Sequence, residues 1–138
     1  MRVLFDTNII LDALLDREPF AEAALKLWQA NLDGRLDGFV SAITPVNVFY
    51  IARRLHNYQV AIEAVSEILL SFSVSIVDYQ ILNDAVNIDF RDYEDAVQHT
   101  CAIASGLDII VTRNISDYTH ATLSVLTPPD LLRQLSIK

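Results

Sequence analysis

Cysteine is nearly absent from this chain. Cys101 stands alone, which excludes an intramolecular disulfide and a zinc cage built of thiolates. It falls in a helix-like run of small and apolar residues, where it is expected to pack in the core. Glycine and proline number only 3 and 4, and 52% of the residues are hydrophobic, so the chain reads as compact rather than disordered. A chain of this length buries roughly two-thirds of its unfolded surface, which suits one domain over 1–138 with no need of staples. No basic leader precedes an apolar stretch, and the apolar runs are far short of the roughly 20 residues that span a bilayer. The expectation is a cytoplasmic protein that makes no membrane contact.

Positive charge is scarce as well. Lys and Arg number 10 against 18 Asp and Glu, leaving a net charge of -8 where tight nucleic-acid binding normally shows a basic footprint. Catalysis on nucleic acid stays open, because a divalent cation among the acids cancels local charge and Arg53, Arg54, Arg91 and Arg113 can contact phosphate.

What the chain does have is a regular alternation of apolar runs. Val3–Phe5 reads as a buried strand, followed by helical spacing from Asn8 to Leu15. Pro19 stands as a first-turn proline of a helix that runs to Asp33-Gly34. Phe39 to Ala42 is a second strand, and Thr44-Pro45 reads as an N-cap with proline behind it, opening a helix to Leu55. Asn57 caps the next helix, a third strand spans Val74 and Ile76, and a helix-like stretch follows from Gln80 to Ile88. Asp92 caps a helix that stops at Ser105-Gly106. Ile109–Val111 is a buried strand, Ser124–Leu126 another, and Thr127-Pro128-Pro129-Asp130 opens a last helix. Strands alternating with helices over short connections predict a three-layer α/β/α sandwich around a parallel sheet of four to five strands.

In such a sheet the ligand site lies beyond the carboxyl ends of the strands. Asp6 ends the first strand, Asp117 lies in the loop after Ile109–Val111, and Asp95 opens a helix beside them. Convergent carboxylates repel, so a hard cation, Mg2+ or Mn2+, is the economical explanation. Each acid also has a plain structural reading: Asp6 as the cap of the first helix, Asp95 as a first-turn acid favoured by the macrodipole, Asp117 as a solvated turn acid. Asp12 and Asp16 read as surface acids and Arg53-Arg54 as a solvated face, while Tyr50, Tyr58, Tyr93 and Tyr118 could stack bases but read as core or interface packing. His56, His99 and His120 lack zinc spacing, and no Ser or Cys has a suitable histidine close by.

These segments in order resemble the PIN domain family of nucleases, which includes the VapC toxins of bacterial toxin–antitoxin pairs. The resemblance covers the whole chain. It rests on Val3-Leu4-Phe5-Asp6-Thr7-Asn8-Ile9-Ile10-Leu11-Asp12, on Ser41-Ala42-Ile43-Thr44, on the helix start Asp92 to Asp95, and on Ile110-Val111-Thr112-Arg113-Asn114. It implies that Asp6, Asp95 and Asp117, helped by Asn114, hold one or two Mg2+ or Mn2+ ions, with Thr112 in support. Asn8 would orient Asp6 or contact phosphate. The implied reaction is in-line attack of an activated water on an RNA phosphodiester, leaving a 5′-phosphate and a 3′-hydroxyl. A homodimer and an antitoxin partner are implied too.

One position departs from the pattern: Asn47 stands where most of the family carries a glutamate. An amide oxygen can ligate a metal but brings no charge, and Glu94 offers a replacement carboxylate, although neighbours on a helix point about 100° apart. A branch of the family has a similar asparagine and Asp-x-Glu-Asp helix start. Two other classes remain: a PIN-fold binding module without activity, and a phosphatase-like domain with Asp6 as nucleophile, against which stands Asn8 where such enzymes place a second acid.

Overall fold

A computed structural model describes residues 1–136, and the alternation of strand and helix runs through them. The strands are β1 (Arg2–Phe5), β2 (Asp37–Ser41), β3 (Ser73–Ser75), β4 (Ile109–Val111) and β5 (Ser124–Leu126). The helices are α1 (Thr7–Leu14), α2 (Ala21–Leu32), α3 (Thr44–Leu55), α4 (Tyr58–Ser71), α5 (Tyr79–Val86), α6 (Tyr93–Ala104) and α7 (Pro128–Gln134), with a short 3-10 turn at Ile115–Tyr118. The strands form one sheet in the order β3-β2-β1-β4-β5, and every neighbouring pair is parallel. Among the described residues no helix is long and apolar enough to cross a membrane.

Alternate residues of the central strands feed two cores. Val3 and Phe5 of β1, Val40 of β2, and Ile109 and Val111 of β4 pack against apolar residues of α1, α2, α3, α4 and α7. Leu4 and Ile110 face the other way, onto Ala102 of α6 and onto Tyr118. Ile81 and Ala85 of α5 extend that layer against Val97 and Cys101, so the lone cysteine is a buried packing residue as expected. Coverage on both faces explains why Val3–Phe5 of β1 and all of β4 are uninterrupted apolar runs instead of alternating ones.

The expected caps form at Asn57, Asp92 and Thr127, whose side chains accept from the backbone N–H groups of Val60, Asp95 and Asp130. Gly106 takes the left-handed conformation, φ 67°, that ends α6. Two expectations are corrected. Thr44 is not a cap but the first residue of α3; its hydroxyl is buried 3.1 Å from that of Thr7 and 3.3 Å from that of Ser41. Three hydroxyls meeting at the strand ends outcompete a local backbone N–H for it. Pro19 lies in the turn before α2, which begins two residues later at Ala21.

Candidate active site at the carboxyl edge of the sheet

Asp6 continues the ladder of β1, its N–H donating to the Val111 carbonyl at 3.0 Å, and then occupies the cap position of α1. Its side chain caps nothing. Oδ1 accepts from Gln98 Nε2 at 2.8 Å and Oδ2 from the Thr112 hydroxyl at 3.1 Å, with the residue only 4% exposed. The capping explanation of Asp6 therefore fails, and the carboxylate is held instead by elements from distant parts of the chain. Thr112, fully buried just past β4, also accepts from the Asn114 N–H at 3.1 Å and so shapes the loop that carries Asp117.

Sequence reasoning missed two members of this network. Gln98 Nε2 also donates to the Tyr118 hydroxyl at 3.1 Å, and that hydroxyl donates to Asp95 Oδ1 at 3.2 Å. Gln98 is completely buried, and its Oε1 has no partner. Its one sequence signal was position: three residues after Asp95, it falls on the same face of α6. Tyr118 packs in the core as expected, but its polar end reaches the acids.

The acids share one electrostatic environment. Burial raises the pKa of Asp6 against the lowering effect of the Gln98 and Thr112 hydrogen bonds, and the charge of Asp117 raises it further. Asp95 is pushed up to about 7, first by burial, then by the charges of Asp6 and Asp92, and also by Asp117. Glu94 is raised by burial, with Thr7 and Asn47 beside it pulling down and Asp6 and Asp92 pushing up. Burial and the charges of Asp6 and Asp95 also raise the Tyr118 phenol, which keeps it a donor. Among the described residues, no basic side chain pairs with Asp6, Glu94, Asp95 or Asp117.

A family model described as the PIN domain matches residues 2–116. The chain belongs to the PIN domain family. Its fold is shared by a toxin–antitoxin complex from Klebsiella pneumoniae, at 27% identity and TM-score 0.66 over 91% of this chain and 97% of that one. A DNA-bound VapBC from Salmonella typhimurium matches at 17% identity and TM-score 0.70, over 93% and 98%. The Mycobacterium tuberculosis toxin VapC20, described as cleaving the sarcin–ricin loop, matches at 15% identity and TM-score 0.65, over 78% and 86%. By sequence, no curated protein matches the chain.

In this PIN domain Asp6 lies within electrostatic reach of Glu94, Asp95 and Asp117, Asp117 also acts on Asp95, and Thr112 grips Asp6. Asn47 and Glu94 line a cleft of about 330 Å3 together with Thr7 and Asn8. Asn8 does not orient Asp6: its Oδ1 accepts from Arg17 at 3.1 Å. Asn114 is exposed, tied to Thr112 through its backbone.

Two charged residues are also corrected. Asp12 is no surface acid but is fully buried, with Arg17 Nε at 2.9 Å and Arg113 Nε at 3.0 Å. Arg113, expected at phosphate, is committed to that pair and stacks 4.0 Å above the Phe20 ring. The partners stand 5 and 101 residues from Asp12, beyond any local pattern.

Among the described residues no three His, Cys, Asp or Glu side chains are gathered closely enough to hold a metal ion by themselves. A closed structural zinc site is thereby a poor fit. The charge and donor chemistry do fit Mg2+, which keeps several waters and takes only one or two carboxylates from a protein. A buried Asp6 that pushes up the pKa of half-buried Glu94 and Asp95, with no basic partner for any of them among the described residues, makes a site short of positive charge.

Proposed function

We propose that this PIN domain is a divalent-metal-dependent endoribonuclease, acting as one domain and serving as the toxin of a toxin–antitoxin pair. The observation that carries this reading is the uncompensated carboxylate group at the strand ends, where Asp95 is pushed up to about 7 with no basic partner among the described residues. Asp6, Asp95 and Asp117 would hold Mg2+ or Mn2+, with Glu94 supplying the carboxylate that Asn47 lacks and Asn114 turning in from the loop. The bound cation would supply Lewis-acid charge to a phosphodiester and acidify water. The chain's own residues do the rest. Gln98 and Thr112 fix the orientation of Asp6, and Tyr118 holds one oxygen of Asp95.

The family, and the toxin–antitoxin complex and the toxin that share the fold, support the biological role. Exposed Leu55, Tyr58, Leu69 and Leu70 on α3 and α4 offer apolar area for an antitoxin or for a homodimer. A nucleophilic Asp6 has less support, since both its oxygens already accept hydrogen bonds.

The test is cleavage of a mixed single-stranded RNA pool with Mn2+ or Mg2+, alongside Asp6→Asn and Asp95→Asn. Cutting that requires the metal and is lost in both variants is the expected result. A folded protein that neither cuts nor gains thermal stability from Mn2+ would be the inactive binding module instead.

A further inference from the structure

The cleft shared by Glu94 and Asn47 does not end at that carboxylate. Its lining continues along α3 through Tyr50, Ile51 and Arg54, and Arg54 is its basic member. Tyr50 and Arg54 also line a second, adjoining cleft of about 420 Å3 together with Arg53. Asn47, Tyr50 and Arg54 are spaced by three and then four residues, which sets them along one face of the helix. That face starts beside Glu94 and rises away from it by about 1.5 Å per residue.

The two side chains have the chemistry of a flanking nucleotide. Tyr50 is 60% exposed, yet its ring is steadied by a T-shaped contact with Phe49, 5.3 Å between centroids. A large aromatic left in water and held in place is a platform on which a base can stack. Arg54 is exposed and makes no ion pair among the described residues, in a protein of net charge -8. Its place in the last turn of α3 suits the helix macrodipole, as does that of Arg53. The macrodipole accounts for neither the exposed Tyr50 nor the cleft they share with Glu94.

We infer that Tyr50 and Arg54 form a subsite for single-stranded RNA next to the acids, Tyr50 stacking an unpaired base and Arg54 binding the phosphate beside the one at Asp6 and Asp95. The inference rests on the nuclease reading and adds how a strongly acidic protein holds a polyanion: one basic and aromatic track leads out of an acidic centre. Sequence specificity is not required of it, since every base has a face to stack.

The experiment is binding of a fluorescent oligouridine by the full chain without divalent cations, as a function of salt, followed by cleavage of the RNA pool with Mn2+. Tyr50→Ala is expected to weaken binding roughly 5- to 100-fold, with Tyr50→Phe close to the unaltered protein. Arg54→Ala should weaken binding and lower the salt slope by about 0.7, the share of one phosphate contact on a single strand. Arg35→Ala, before β2 at the opposite edge of the sheet, should change neither. If the protein cuts RNA but Tyr50→Ala and Arg54→Ala bind and cut as before, the subsite is overturned and the nuclease reading stands. If the unaltered protein neither binds nor cuts, both fall together.

Discussion

Gln98 is the residue on which the acid network turns. One amide nitrogen serves Asp6 and Tyr118, and through the phenol it reaches Asp95, so two of the carboxylates are tied to a single side chain. Gln98→Leu keeps the volume but leaves Asp6 Oδ1 without that donor, and stranding a buried acceptor costs about 1–3 kcal/mol. Removing the unpartnered Oε1 offsets part of this, so urea unfolding should show a loss of about 1 kcal/mol. Cleavage is expected to suffer more than stability, because Asp6 is freed to turn; equal losses in both would mean that Gln98 only fills space. Asp6 was legible in the sequence because a carboxylate directly after an apolar strand is rare enough to notice. Gln98 was not, because a glutamine among helix residues looks like surface until the tertiary fold closes over it.

At the scale of elements, the end of the sheet is fastened by long-range polar contacts. Asp12 of α1 binds Arg113 of the loop after β4, and so couples the helix behind Asp6 to the segment that carries Asn114 and Asp117. Asp12→Ala removes the acid between two arginines. Breaking a buried pair costs about 3–5 kcal/mol, and the partial exposure of both arginines puts the expected loss at about 3 kcal/mol. Chemical denaturation gives the value, and a loss below about 1 kcal/mol would show a pair no stronger than a surface one.

On β2, a Cβ at Gly38 would fall 2.7 Å from Asn31 Cγ and 2.8 Å from the Phe72 ring. Asn31 has little room to yield, since it accepts from the Gly38 N–H at 2.8 Å and donates to the Ser71 carbonyl at 2.6 Å. Gly38→Ala should cost about 1–3 kcal/mol by overpacking and leave the cutting rate of the folded fraction unchanged. The elements themselves were readable where the signal is local: the caps at Asn57, Asp92 and Thr127 sit three residues from the N–H they bind. Thr44 misled because its partner Thr7 is 37 residues away.

At the scale of the molecule, the acids set how stability answers to pH and metal. Strand–helix alternation announced a parallel sheet between helices, but the order β3-β2-β1-β4-β5 depends on pairings between distant strands that no local pattern encodes. That order makes β1 central, with β4 beside it, and so brings Asp6 against Thr112. The folded protein thus keeps acids that the unfolded chain would let ionise freely. Asp95 rises from its ordinary 3.8 to about 7, so between those values the folded state binds more protons than the unfolded one. Stability should therefore fall as pH rises through this window, and the raised Asp6 and Glu94 act in the same direction. Without divalent cations the melting temperature is expected to be higher at about pH 5 than at about pH 8, with a shallower decline in Asp95→Asn. A cation that binds only the folded state adds about 2.7 kcal/mol at a hundred times its dissociation constant, and it does so most where the carboxylates are ionised. Mn2+ should thus stabilise more at the alkaline end and flatten the profile. General repulsion from the net charge of -8 would also lower stability with pH, but it would act alike on the native chain and on Asp95→Asn. Identical slopes for the two, with Mn2+ stabilising equally at both ends, would remove the acid network as the cause.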